Sequence, residues 1–226
     1  MEAGTAGAGA PRPARGGDIP READPTARAT IQFPKVADPG PLGLAAFALT
    51  TFILSFFNAQ LAPASGEPIV FAVAFAYGGL AQILAGMWEF RTGNTFGAVA
   101  FTSYGAFWLS FFAFGLWFDK LLPVKDAGVA GHAVGLYLIA WGIFTTYMFI
   151  ASLRTTAAVA LVFFLLAITF FLLGFGNRGL NPDVVKVGGY FGLATAVVAW
   201  YASFAVVANS TFGRTILPVV PLGARD

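Results

Sequence analysis

Six apolar runs constrain the fold of this chain more than any other feature of its sequence. Each is close to the ~20 residues that a helix, rising about 1.5 Å per residue, needs to cross a bilayer. The runs are Leu42–Leu61, Ile69–Trp88, Phe96–Phe118, Ala133–Ser152, Ala157–Phe175 and Val187–Ala208. A transmembrane barrel would instead show alternating runs of about ten residues. We therefore predict an all-α integral membrane protein with six transmembrane helices per protomer.

Composition supports this class of protein. The chain is 58% hydrophobic and only 11% charged, whereas a soluble domain carries roughly 25% charged residues. Its formal net charge of +2 gives no reason to expect a nucleic-acid partner, but membrane lipid is an expected one. The chain has no Cys, which excludes disulfides and Cys-ligated metals.

The chain divides into three predicted regions. Residues 1–37 are rich in Gly, Pro and charge and poor in large apolar residues, which predicts a flexible cytoplasmic tail because such a segment buries too little surface to order itself. Residues 38–218 form the predicted transmembrane transport domain. Residues 219–226 form a C-terminal tail.

The distribution of Lys and Arg predicts the orientation. Near the membrane, six such residues lie on the side that both termini share and four on the opposite side. The six are Arg28, Lys35, Arg91, Arg154, Arg214 and Arg225, and the four are Lys120, Lys125, Arg178 and Lys186. Because cytoplasmic loops carry the excess of positive charge, both termini are expected in the cytoplasm of a multi-pass protein of the cell (plasma) membrane.

The residues indicate transport rather than catalysis. No phosphate loop, nucleophile elbow or metal motif is present, and the single His, His132, is expected in a loop. No enzyme activity, cofactor or metal is therefore expected. The interiors of the predicted spans lack Asp, Glu, Lys and Arg, which argues against a proton relay made of side chains.

Polar residues in and beside the spans are candidates for lining a path. The set is Thr50, Thr51, Asn58, Gln82, Glu89, Asn94 and Thr102. Hydroxyls and amides among aromatic residues suit a narrow path for a small solute. Hydrogen bonding between helices is an equally open explanation for these residues.

Several motifs resemble those of one known family, the acetate uptake transporters or succinate–acetate permeases. The N-terminal signature is Asp38, Pro39, Gly40, Pro41, Leu42, Gly43 and Leu44, and further matching motifs lie at 77–86, 93–108 and 212–218. The resemblance covers roughly residues 38–218. In the family pattern the signature begins with Asn and has Ala or Val where this chain has Gly40.

The resemblance implies a homo-hexamer in which each six-helix protomer encloses its own path for acetate, succinate or a related small carboxylate. It also implies a constriction formed by Phe47, Tyr104 and Leu166. We expect these three residues to set size selectivity and the Tyr104 hydroxyl to donate to the carboxylate. Asp38 adds negative charge at the cytoplasmic mouth, which leaves the preferred substrate open. Channel-like permeation and proton symport both stay open.

Two other functions stay open at this point. One is a channel for neutral solutes such as urea, amides or ammonia, because no charge lies within the predicted spans. The other is a sensor or assembly protein that does not transport. Carboxylate-inhibitable flux separates the first from a carboxylate transporter, and the absence of any flux indicates the second.

Overall fold

A computed structural model describes residues 36–118 and 127–223 of the chain. It contains six long helices, each apolar and long enough to cross a membrane. They are α1 Gly40–Asn58; α2, which runs through Ile69–Val73, Ala74–Ala81 and Gln82–Thr92; α3 Thr95–Ala113, which continues through Phe114–Phe118; α4 Ala127–Ser152; α5 Ala157–Arg178; and α6 Pro182–Phe212. The all-α, six-helix prediction is confirmed. The predicted flexible tail lies almost wholly outside the described residues.

Short polar side chains fix the starts of three helices. The side chain of Asn94 accepts from Gly97 N at the start of α3, and that of Thr156 accepts from Val159 N at the start of α5. Asn181 accepts from Asp183 N and Val184 N ahead of Pro182 in α6. These contacts satisfy N–H groups that have no partner within the helix.

Two glycines end helices where the backbone turns left-handed. Gly93 follows α2 with φ 82° and Gly213 follows α6 with φ 65°. A residue with a Cβ pays a steric penalty in this region, so glycine is favoured there.

The helix α2 contains a wide, π-helical stretch over Ala74–Ala81. Small residues in this stretch let neighbouring helices approach closely. At Gly78, for example, an added Cβ would lie only 2.9 Å from the Trp108 side chain of α3. Four small or polar residues spaced by four along α2 are all buried: Ala74, Gly78, Gln82 and Gly86. A π-helical stretch inserts an extra residue per turn and is often found at functional sites.

The six helices form a closed ring. Helix α1 packs against α2 and α6, α2 packs against α3, and α5 packs against both α4 and α6. Helices α3 and α4 close the ring through a seam of aromatic rings, among them Tyr104 with Phe144 and Phe107 with Trp141. Successive helices alternate in direction. The first residues of α1, α3 and α5 therefore lie at the same end of the ring.

The single His is not in a loop, so that prediction is wrong. His132 lies in the second turn of α4, where its Nδ1 is 2.7 Å from the Gly128 carbonyl oxygen. The helix begins earlier than predicted because the glycines and alanines ahead of Ala133 continue it. His132 is exposed.

The C-terminal segment is held against the helices. The Asn209 side chain accepts from Ile216 N and Leu217 N and donates to the Leu217 carbonyl. Farther on, Ala157 N at the start of α5 donates to the Val220 carbonyl at 2.8 Å. The predicted C-terminal tail thus supplies backbone carbonyl acceptors for the first N–H groups of α5. Residues 224–226 of that tail lie outside the described part of the chain.

Candidate functional site

A cavity of about 700 Å³ lies between the helices. Its lining includes Phe47 and Asn58 of α1, Trp108 of α3, and Leu166 and Asn177 of α5. Asn58 is the last residue of α1, and Asn177 is the last but one of α5. The cavity therefore extends from the middle of the helices toward the end at which α1 and α5 finish.

A smaller cavity lies toward the other end, where α1, α3 and α5 begin. Its lining comprises Leu44, Phe47, Gln82, Ala100, Phe101, Tyr104, Val162, Phe163 and Leu166. Phe47 and Leu166 line both cavities, so these two side chains lie between them.

The structure brings Phe47, Tyr104 and Leu166 together. All three line the smaller cavity, and they are 5%, 3% and 3% exposed. The rings of Phe47 and Tyr104 have centroids 5.8 Å apart at an interplanar angle of 52°. One aromatic ring, one phenol and one branched aliphatic side chain, each from a different helix, thus line the same small cavity. These three residues are hereafter called the constriction, the role that the family resemblance predicts for them.

The Tyr104 hydroxyl has a partner inside the protein. It lies 2.9 Å from Thr145 Oγ1 of α4, and Thr145 Oγ1 donates to the Trp141 carbonyl at 2.7 Å. Because the single hydroxyl proton of Thr145 is used on that carbonyl, Tyr104 is the donor to Thr145. Donation from Tyr104 to a solute would require this bond to break.

We expect Tyr104→Phe to lower the free energy of unfolding by about 1 kcal/mol, the contribution of one internal hydrogen bond. The aromatic ring of the constriction is kept, so acetate uptake into proteoliposomes should change little. Thermal unfolding in detergent and uptake are measured on the same preparation, with Thr145→Val as the partner variant. A large loss of uptake with little loss of stability would instead assign the hydroxyl to the solute.

Three of the seven candidate polar residues line a cavity. Thr51 and Asn58 line the larger one, and Gln82 lines the smaller one. The others lie outside both: Thr50 donates to the Ala46 carbonyl and packs on Gly78, and Thr102 packs on Gly86.

Glu89 and Asn94 lie together outside both cavities, near the start of α3. Glu89 is 2% exposed and accepts a 3.2 Å hydrogen bond from Thr92 Oγ1, and a Cβ added at Gly97 would lie 2.8 Å from its Oε1. Asn94 caps α3. These contacts give both residues a structural role at a helix junction.

Other polar residues that line the larger cavity are absent from the predicted set. They are Ser55, Glu67, Ser110, Tyr137, Thr169 and Asn177. Helical spacing provides a signal for some of them, because Phe47, Thr51, Ser55 and Asn58 follow one another at intervals of four, four and three residues on α1. On α5, Leu166, Thr169, Leu173 and Asn177 follow one another at intervals of three, four and four residues.

The signature stretch fixes the start of α1. Asp38 Oδ1 accepts from Gly40 N at 2.8 Å, and Ser203 Oγ of α6 donates to the Pro41 carbonyl at 2.7 Å. The missing side chain of Gly43 makes room for the ring of Phe101. The prolines occupy the first turn, where a missing N–H costs no helical hydrogen bond. The contacts therefore hold α1 against α3 and α6.

Four buried polar atoms have no hydrogen-bond partner within the described residues. They are Thr51 Oγ1, Gln82 Oε1, Thr102 Oγ1 and Trp108 Nε1. Three of these four residues line a cavity. Buried polar atoms are nearly always paired in proteins, so polar groups that interact with a solute are to be sought here first. Within residues 36–118 and 127–223 there is no group of His, Cys, Asp and Glu that would hold a metal ion.

Six apolar helices around two cavities that share lining residues are the architecture of a multi-pass membrane protein of the transporter or channel class. A sequence model of the GPR1/FUN34/yaaH family matches residues 21–224. The chain belongs to the GPR1/FUN34/yaaH family.

Named relatives agree with this class. Acetate permease A of Emericella nidulans is 44% identical over 84% of this chain and 68% of its own length. Succinate-acetate/proton symporter SatP of Escherichia coli K12 is 42% identical over 82% of this chain and 96% of its own. Ammonia transport outward protein 2 of Saccharomyces cerevisiae is 43% identical over 77% of this chain and 63% of its own.

A solved structure, that of the bacterial acetate channel SatP, is similar to this fold. The TM-score is 0.76 with 39% sequence identity, over 82% of this chain and 99% of that one. This likeness and the family membership confirm the resemblance found in the sequence.

Proposed function

We propose that this protein moves acetate and related small mono- and dicarboxylates across a membrane. The path runs from the larger cavity, between Phe47 and Leu166, into the smaller cavity beside Tyr104. The proposal is supported by two cavities that share the lining residues Phe47 and Leu166, in a chain whose relatives bear the names of acetate and succinate transporters.

The constriction suits a small solute for a physical reason. Three bulky side chains from α1, α3 and α5 limit the cross-section, so longer carbon chains are excluded by size. An apolar ring also penalises a bare charge far more than a neutral group, because burying an unpaired ion costs much more than burying a hydrogen-bonded polar group. Phe47 and Leu166 therefore act as specificity residues rather than as catalytic ones.

The assembly and location are part of the proposal. Each protomer encloses its own path in a homo-hexamer of the cell membrane, as the family resemblance implies, and the protein is not an enzyme. Both termini lie in the cytoplasm, because the positively charged residues near the membrane favour that side by six to four. The larger cavity then opens toward the outside and the smaller one toward the cytoplasm.

Uptake of labelled acetate into proteoliposomes tests the proposal, with and without an inward proton gradient. We expect uptake above that of protein-free vesicles and a fall in labelled uptake when excess unlabelled acetate is added. A rise with the gradient indicates proton coupling, and insensitivity to it indicates channel-like permeation. Absence of protein-dependent acetate uptake contradicts the proposal.

A second candidate function is a channel for small neutral solutes such as ammonia, urea or amides. It is favoured by the smaller cavity, since no Asp, Glu, Lys, Arg or His is found among the described residues that line it, and by the relative named for ammonia transport. Flux of ammonia or urea that excess acetate does not inhibit, in vesicles that take up no acetate, would establish it. Absence of every flux would leave a sensor or assembly role.

A further inference from the structure

We infer that the carboxylate of Glu67, which lines the larger cavity, makes the protein prefer solutes with one negative charge over solutes with two. Glu67 would thus be a specificity residue that acts on the charge of a solute, whereas the constriction acts on its size. The inference rests on the proposed function and deepens it by naming the favoured substrate class, which is monocarboxylates rather than dicarboxylates.

The first observation is the position of Glu67 at one end of the larger cavity. Glu67 follows the short turn Ala64–Gly66 between α1 and α2. Its N–H donates to the Ala64 carbonyl at 3.0 Å, and its carbonyl accepts from Val70 N at 2.9 Å. The side chain is partly buried and lines the larger cavity together with Asn58, the last residue of α1. Backbone hydrogen bonds therefore hold this carboxylate at the end of the cavity where α1 finishes.

The second observation is that the charge of Glu67 has no partner within residues 36–118 and 127–223. Its side chain forms no hydrogen bond and no ion pair with any of these residues. Among the described residues that line the larger cavity, Glu67 is the one Asp or Glu, and none is Lys, Arg or His. The carboxylate therefore acts on whatever solute enters the cavity.

Other charged or titratable residues at the same end of the ring do not line the larger cavity. They are His132 of α4, Arg178 at the end of α5, and Asp183 and Lys186 in α6. Among these described residues, Glu67 is thus the one whose charge borders the path of the solute.

The third step is that the repulsion between Glu67 and a solute grows with the charge of the solute. Coulomb energy is proportional to that charge, so a dianion is repelled twice as strongly as a monoanion at the same distance. The unpaired atoms Thr51 Oγ1 and Trp108 Nε1 can donate to one carboxylate in the larger cavity. A second carboxylate finds no positive charge among the described lining residues. One negative charge is therefore tolerated better than two.

The test measures how oxalate and oxamate inhibit the uptake of labelled acetate into proteoliposomes at pH 8. The two inhibitors have the same number of heavy atoms and are close to acetate in size. Oxalate carries two negative charges at this pH, because both of its carboxyl groups are ionised, and oxamate carries one. The half-inhibitory concentration of oxalate divided by that of oxamate therefore reports charge and not size. Competition requires entry into the larger cavity but not passage through the constriction.

We expect Glu67→Gln to lower this ratio about fivefold. That is the effect of one unit charge about 8 Å away at an effective dielectric constant of about 40. Glu67→Lys should lower the ratio further, because it attracts the dianion, and Glu67→Asp should keep it near the wild-type value. A merely structural role of Glu67 would instead change inhibition by both acids alike.

Asp183→Asn is the matched control, because it removes the same charge from an exposed position that lines neither cavity. Its ratio should equal that of the wild type. Raising the salt from about 0.01 M to about 0.15 M shortens the Debye length from about 30 Å to about 8 Å. This screening should lower the ratio in the wild type and change it much less in Glu67→Gln.

A ratio that is unchanged in both Glu67→Gln and Glu67→Lys would overturn the inference. An equal shift in Asp183→Asn would do the same, because the effect would then come from the overall charge of the protein. Failure of both acids to inhibit wild-type acetate uptake would also contradict it. Absence of wild-type acetate uptake would remove the proposed function itself, whereas normal acetate uptake with an unchanged ratio removes this inference alone.

Discussion

Gly189→Ala should lower the free energy of unfolding by about 2 kcal/mol or more, the cost of overpacking a tight helix contact. Helices α6 and α1 pack closely along one face, and a Cβ built at Gly189 would lie 2.6 Å from the Asn58 carbonyl carbon and 2.7 Å from the Ala59 Cα. These are backbone atoms, so no side-chain rotation relieves the overlap. In lipid such close packing is a main source of helix association.

The same substitution should also change the larger cavity. Asn58 lines that cavity, and displacement of the last turn of α1 moves Asn58 away from α6. We therefore expect a fall of roughly 5 °C or more in the unfolding midpoint in detergent, together with reduced acetate uptake by the protein that still assembles.

Gly66→Ala is the matched control for this prediction. A Cβ there would meet only the edge of the Phe57 ring, at 3.3 Å, and that side chain is able to turn aside. We expect its free energy of unfolding to change by about 0.5 kcal/mol or less, the range of an ordinary surface substitution, and its unfolding midpoint to change little. An unchanged midpoint for Gly189→Ala would show that α1 and α6 have room to separate at low cost.

The sequence predicts the helices well because the hydrocarbon core of a membrane imposes their length and polarity. Their ends are less well predicted, since hydropathy marks the apolar part of a helix and not its last residue. Helix α2 continues past Trp88 to Thr92, and α6 continues past Ala208 to Phe212. Polar residues at the interface remain helical until a left-handed glycine or a cap ends the helix.

The polar lining of the site is harder to predict because adjacent residues on a helix point about 100° apart. Thr50 and Thr51 are neighbours with the same side chain, yet Thr50 packs against Gly78 of α2 whereas Thr51 lines the larger cavity. Only their spacing from Phe47 distinguishes them. On α2 the π-helical stretch before Gln82 changes the direction in which the following side chains point. A rule of spacing by four residues does not predict that change.

The constriction has a different basis, because its three residues were assigned from the family resemblance. Their separation along the chain carries no sign that they meet. The ring order of the helices places α1, α3 and α5 around the cavities, and that order follows from packing between distant segments. Their role in selectivity stays a prediction, and substitution of the aliphatic member tests it.

Leu166→Ala should extend the accepted substrates toward larger monocarboxylates or raise the uptake of succinate. Leu166 is 3% exposed and lines both cavities together with Phe47. Leu166 is the non-aromatic member of the constriction, and its replacement by Ala removes three carbon atoms from between the two cavities. One methylene in an apolar pocket changes discrimination roughly 10- to 200-fold, so we expect the uptake of butyrate relative to acetate to rise at least about tenfold.

Leu161→Ala is the matched control, because it makes the same substitution on the same helix at a residue that is 44% exposed on the outer face. Its ratio of butyrate to acetate uptake should equal that of the wild type. Uptake of both acids is measured in one set of proteoliposomes, with retained acetate uptake showing that Leu166→Ala is assembled. A variant that takes up acetate normally and still excludes butyrate would place the size limit elsewhere than at Leu166, since a wider constriction must admit the longer chain if this ring sets the limit.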